Sequence, residues 1–336
     1  VPASEARVNP SGPNPPPPHP PSPHKQRVYA QRQQARQAML TRRARGRGAG
    51  YLRRHWRGDL PLAAAVIASG ALVWGAVQLV AFASRHVPMT DYPEAASLLL
   101  VAEIALLTAG AVWWGMGVQR AAFRHVELGG SLLVALLTGA VGVGAFFWAG
   151  AFWYQSARHV MPDVWATLAG TAPPAVVQVD AAAGVVRLKG DLEFGSMRAL
   201  RAALDAHPGI RIVQLESRGG RVAEGLALGA LLRDRGVDTL VTGECSSACV
   251  TAFAGGARRL IAPQAKIGLH SAGGKGVSAA AVASANRASD EFIAQRGVDW
   301  RVLEKGAAVA NESIWFPEPW LLLASGLATD YAGAAR

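Results

Sequence analysis

Residues Gly243–Gly256 read GECSSACVTAFAGG. Two serines stand between two cysteines, where the strand-like segment DTLVTG gives way to small, apolar residues of helical character. A strand-to-helix turn leaves amide groups unpaired and sets them at the positive end of a helix dipole. A serine held there is a nucleophile if a base lies within hydrogen-bond reach and amides face the developing oxyanion. It is a mere helix cap if neither condition holds. The small residues that follow suit close helix packing under either reading.

Outward from this stretch, residues 156–336 alternate short strands and helices. AVVQVD, GVVRLKG, IRIVQLE, DTLVTG, RRLIA and KIGLH carry the β-branched content of strands. FGSMRALRAALDAH and RVAEGLALGALLRDRG have apolar residues at helical spacing, the second ending at Gly236, and a further helical stretch runs from Val277 to Arg296. This alternation predicts an α/β domain with a largely parallel sheet, whose chemistry gathers at the carboxyl ends of the strands. ESRGG (216–220), GECSS (243–247) and LHSAGG (269–274) all fall at such ends. The glycines of the first allow close backbone approach to a ligand, and His270 closes a strand two elements after the serines.

In their order along the chain, ESRGGRVAEG, GECSSACVTAFAGG and KIGLH resemble the proteolytic subunit of the Clp protease (ClpP) and the related signal peptide peptidases, within the ClpP/crotonase fold. The resemblance covers about residues 175–331. It implies that Ser247 is the nucleophile, four residues after Gly243, with Ser246 where the family has a small residue. It implies His270 as the general base, after a turn containing Ala262-Pro263. It also places the oxyanion hole at the amides of Gly220 and Ala248. Ser217-Arg218-Gly219-Gly220 stands where the family has Ser-Pro-Gly-Gly, so Arg218 adds a charge beside the expected substrate groove. Aligning Pro317-Glu318 with the family's Pro-Glu pair puts Asn311 at the position of the aspartate that orients the histidine. An asparagine can hold an imidazole tautomer but does not stabilise imidazolium as a carboxylate does. Glu312 beside it, the more distant Asp299, and a plain Ser–His pair remain open alternatives. The resemblance implies no cofactor and no metal, and a homo-oligomer.

Cys245 and Cys249 are the only cysteines. Two cannot make a four-cysteine zinc site, and C-x3-C is not the redox C-x-x-C. At one helical turn apart they are either a disulfide that clamps the turn around Ser247, if the domain lies outside the cytoplasm, or two small buried residues.

The first half of the chain is of another kind. Residues 1–57 hold 12 Lys/Arg against the single acid Glu5, which is the whole net charge of +11; the remaining 22 basic and 22 acidic residues cancel. With the run PSGPNPPPPHPPSP, this reads as a disordered, Pro-rich and Arg-rich cytoplasmic arm, partly helical in its Arg/Gln-rich stretch. A flank touching anionic lipid suits it better than a nucleic-acid arm, because a membrane region follows over 58–155. Leu62–Ala83 is 22 residues without a charge, Ala95–Val118 carries one acid, Glu103, and Leu128–Trp153 is again uncharged and ends in aromatics. Each is long enough to cross a bilayer as a helix. Glu103 is assigned no function. The basic arm and the loop with Arg120 and Arg124 should stay in the cytoplasm, whereas the loop with Asp91 and Glu94 should face outward. That delivers the 156–336 domain to the periplasmic or extracytoplasmic side of a cell (inner) membrane. The expected function is a membrane-anchored serine peptidase acting on peptides or membrane-associated proteins. The alternatives are an inactive ClpP-like scaffold that binds partners, or the acyl chemistry of the crotonase branch, which the Ser and His disfavour.

Overall fold

A computed structural model describes residues 26–34, 36–37, 50–274 and 278–333. Most of the expected disordered arm (1–25, 35 and 38–49) lies outside the described residues, as do 275–277 of the loop after His270. The end of that arm is helical, in keeping with the partly helical reading of its Arg/Gln-rich stretch, but one of its side chains is buried. Tyr51–Trp56 is a helix, α1, and its His55 is fully buried, with Nδ1 2.8 Å from Ser69 Oγ and Nε2 3.2 Å from the Trp114 carbonyl. A polar ring so placed is satisfied by partners remote in sequence, which composition does not reveal.

Three helices are long and apolar enough to cross a membrane. The first comprises a π-helical turn, Ala64–Ala68, that continues into α2 (Ser69–Arg85); the others are α3 (Pro93–Glu127) and α4 (Leu132–His159). At 35 residues, α3 is about 52 Å long, so it overreaches a hydrocarbon layer of about 30 Å. The excess is its basic end, where Arg124 pairs with Asp59 and donates to the Gly58 carbonyl at 2.8 Å.

By contacts the chain forms two compact units, one of residues 1–70 and 113–144, the other of 71–112 and 145–336. The second contains the α/β domain. Its main sheet has six strands in the order β1-β2-β3-β4-β6-β8: β1 (Val176–Asp180), β2 (Val185–Lys189), β3 (Ile212–Glu216), β4 (Asp238–Val241), β6 (Arg259–Ile261) and β8 (Asp330–Tyr331). Only the β1–β2 pair is antiparallel. Helices α6 (Ser196–Ala206), α7 (Val222–Arg235) and α8 (Ala248–Ala254) connect the strands. Leu188, Val213, Leu215, Leu228, Leu232, Phe253 and Ile261 form the core with essentially no exposure, each worth about 1.5–3 kcal/mol of apolar burial. Gly236 closes α7 in the left-handed region (φ 61°).

A second, smaller layer positions the site. β5 (Glu244–Ser246) and β7 (Lys266–Gly268) pair in parallel, and single bridges add Leu192 to Gly220, Ser217 to Cys245 and Leu269 to Trp315. The segment ECS, expected to fall between the strand DTLVTG and the helix that follows it, is instead a strand of its own. Its three residues are too few to show a period, and the pairing with β7 is non-local.

Candidate active site

Strand β5 separates the two serines. Ser246 ends the strand wholly buried, and its hydroxyl donates to Glu244 Oε1 at 2.9 Å. Ser247 is the turn itself, with φ 57° and ψ −129°, and among the described residues it is the one non-glycine with positive φ. Such a conformation costs on the order of 1–3 kcal/mol in a residue with a side chain and persists only where its surroundings impose it. Two neighbours impose it. Ser247 N–H donates to the Gly268 carbonyl at 2.8 Å, continuing the β5–β7 register, and Ala248 immediately begins α8.

The ESRGG turn lies against this residue. A Cβ on Gly219 (φ +112°) would sit 2.6 Å from Ser247 Cβ, so no side chain fits there. The Gly219 N–H is taken by Ser217 Oγ at 3.1 Å. The Gly220 and Ala248 amides donate no hydrogen bond among the described residues, which leaves a spare donor in the residue after Gly219 and another in the residue after Ser247. The turn is braced from outside by Arg221. Its guanidinium makes a bidentate pair with Asp163 (2.6 and 2.8 Å) on α5 (Met161–Leu168), and its Nε donates to Glu193 at 2.9 Å. Together these acids hold the Arg221 pKa above its ordinary value. Buried Glu224 accepts the amides of Gly195 and Met197 at 3.1 and 2.8 Å, capping α6; its burial raises the carboxyl to about 6.

His270 follows β7 and reaches the same place. It shares with Ser247 the wall of a cavity of about 50 Å³. Ser247 Oγ and His270 Nε2 make no hydrogen bond to each other or to another described residue. Burial lowers the His270 pKa below 6.5, against the opposing influence of Asn311 and Glu312. Burial thus favours the neutral imidazole over the imidazolium. The antiparallel bridge Leu269–Trp315 brings the 311–315 segment alongside, and Asn311 Nδ2 comes to 3.5 Å from His270 Nδ1 while donating to the Ser271 carbonyl at 3.1 Å. Asp299 is elsewhere: its carboxylate caps α10 (Trp300–Ala307) by accepting Arg301 N–H at 3.0 Å. Cys245 and Cys249 are joined as a disulfide that ties β5 to α8 on either side of Ser247.

Two residues that sequence reading did not single out also belong here, both on α9 (Ala279–Ala294). Asn286 accepts Ala272 N–H at 2.7 Å and donates to Ser271 Oγ at 2.8 Å, which holds the chain just past His270. Asp290, one helical turn on, lines the cavity, and burial raises its carboxyl to about 6. The signal was two polar residues at i and i+4, a spacing equally suited to a solvated helix face.

No protein-family model matches the chain, and no curated protein matches its sequence. Among solved structures, ClpP1 from Listeria monocytogenes is similar with a TM-score of 0.40 at 14% identity, covering 46% of this chain and 94% of that one. The catalytic domain of the ClpP protease from Plasmodium falciparum is similar with a TM-score of 0.38 at 14% identity, covering 46% and 89%. These are weak, low-identity likenesses to the ClpP protease fold.

Proposed function

We propose that the chain is a membrane-anchored serine peptidase, with Ser247 as nucleophile, His270 as general base, and Gly220 and Ala248 as oxyanion donors. The supporting observation is a strained serine, followed by the spare amide of Ala248 and packed against the turn that carries the spare amide of Gly220, on the wall of the cavity that His270 also lines. A peptide lies extended along Gly219–Gly220 by strand addition. His270 Nε2 takes the hydroxyl proton as Ser247 Oγ bonds to the carbonyl carbon, and the oxyanion is received by the Gly220 and Ala248 amides. Collapse breaks the C–N bond, and the imidazolium proton passes to the leaving amine. Water, deprotonated by the same imidazole, then attacks the acyl-serine, releasing the acid and restoring the hydroxyl. The Ser–His hydrogen bond forms as substrate fills the cavity, since catalytic contacts are often loose in the free enzyme.

For Nε2 to accept, Nδ1 must carry the ring proton. Asn311 serves that tautomer when its Oδ1 faces Nδ1; with Nδ2 in that place, the opposite tautomer is held. Turning the amide over is therefore part of activation. The same observation supports a second reading, a ClpP-like scaffold without turnover.

Positive charge in the arm and in the loop with Arg120 and Arg124 assigns both to the cytoplasm, and the α/β domain to the extracytoplasmic side, where the Cys245–Cys249 bond is stable. Substrates are peptides or membrane-associated proteins, and the working form is a homo-oligomer. The test is labelling of the full-length, detergent-solubilised protein by a fluorophosphonate. Wild type should take the label, and Ser247→Ala and His270→Ala should not. Labelling that persists in Ser247→Ala overturns the nucleophile assignment, and a folded wild type that takes no label supports the scaffold.

A further inference from the structure

We infer that Asp290 makes this site selective for lysine on the acyl side of the scissile bond, an inference that rests on the peptidase reading above. The cavity that opens at Ser247 and His270 continues to Asp290, so the side chain beside the attacked carbonyl has this cavity within reach. Val250, Leu269, Ile293 and Leu303 give it apolar wall, alongside the polar Thr251, Asn286 and Ser289. The apolar part suits methylene groups, but the Asp290 carboxylate does not suit an aliphatic side chain. Among the described residues Asp290 has no ion pair and no hydrogen bond, unlike the buried Glu224, which accepts two amides.

A half-buried carboxylate without a partner is a standing cost that an incoming cation removes. With its carboxyl raised only to about 6, Asp290 is still ionised at pH 8, and its partly desolvated setting strengthens its attraction for an ammonium. Size narrows the choice. About 50 Å³ accommodates a file of roughly four water-sized groups. A lysine carries four heavy atoms beyond Cβ in a slim chain, the last of them the charge. The guanidinium of arginine is broader and planar.

The experiment uses full-length protein and fluorogenic peptides that differ only in the residue before the cleaved bond: lysine, ε-acetyl-lysine or norleucine. Each peptide is scored by kcat/KM and by its protection of Ser247 from a fluorophosphonate. Lysine should exceed norleucine and acetyl-lysine by about tenfold or more in both readouts. Asp290→Asn should bring the lysine-to-norleucine ratio to within about twofold of unity, and Asp290→Ser provides the same ratio from a second variant. Because the wild-type comparison with acetyl-lysine needs no variant, a misfolded mutant does not remove the test. Ser247 labelling without a lysine preference overturns this inference and leaves the peptidase standing. Absence of both labelling and cleavage overturns the two together.

Discussion

Ser246 and Ser247 are adjacent and chemically identical, and only the backbone distinguishes them. Ser246 closes a strand and spends its hydroxyl on Glu244, whereas Ser247 sits in a strained turn with its hydroxyl unengaged. Asn311 stands against the His270 ring where a carboxylate would both hold the tautomer and stabilise the imidazolium. Asn311→Asp should therefore raise kcat by about tenfold or more, measured at pH 8 under saturating peptide. The pH profile should move with it. With His270 as the proposed base, the neutral imidazole is the active form and burial lowers its pKa, so wild-type activity should climb as pH rises through a pKa below the ordinary histidine value and then level off. A carboxylate at 311 favours the imidazolium, which shifts that limb to higher pH. An unchanged rate and profile in a folded Asn311→Asp protein would remove Asn311 from the mechanism. Asn311 was legible from its place before Pro317-Glu318. Asp290 was not, because its meaning comes from the cavity it lines and not from its neighbours in sequence.

At the scale of elements, the site depends on how β5, α8 and α7 are pressed together. All seven residues of α8 are buried, which explains why ACVTAFA carries no charge. Its backbone lies directly on α7: a Cβ at Gly225 would meet the Ala248 carbonyl at 2.4 Å, and one at Gly229 would meet that of Thr251 at 2.7 Å. The small residues are thus a packing requirement, whatever the chemistry of the turn. The disulfide then fixes β5 to the start of α8 across a sequence separation of four. Reduction, or Cys249→Ala, should lower stability by about 2 kcal/mol, given so short a loop. It should also slow fluorophosphonate labelling, because Ser247 is then freer to leave its strained conformation. Both effects are read from a denaturant titration and a labelling time course with and without reductant. No change in either would make the bond incidental to the site.

Across the whole molecule, the distribution of charge and apolar length sets the relation to the membrane. Three helices are long and apolar enough to span it, and the net positive charge belongs to the segment before the first. The loop between the first two spans pairs with α6 of the α/β domain, Asp91 with Arg201 and Glu94 with Arg198. That loop and the domain therefore lie on one side, which the proposed orientation, drawn from the Lys/Arg excess of the arm and of the loop with Arg120 and Arg124, makes the outside. A reporter active only in the cytoplasm should be silent when fused after Arg336 and active when fused within the loop near Arg124. The reverse pattern would overturn the orientation and, with it, the oxidising setting of the disulfide.

Chain composition by itself determined the three apolar spans, the basic arm and the strand–helix alternation of the α/β domain. These follow from local quantities: runs of uncharged residues long enough for a bilayer, and hydrophobic periods of two or of 3.6. Tertiary structure alone decided that ECS is a strand and that His55 is buried, and it alone drew Asn286 and Asp290 to the site. Each of those outcomes depends on a partner distant in sequence. Strand pairing, burial and a shared cavity are properties of two segments at once, and no window along one segment contains them.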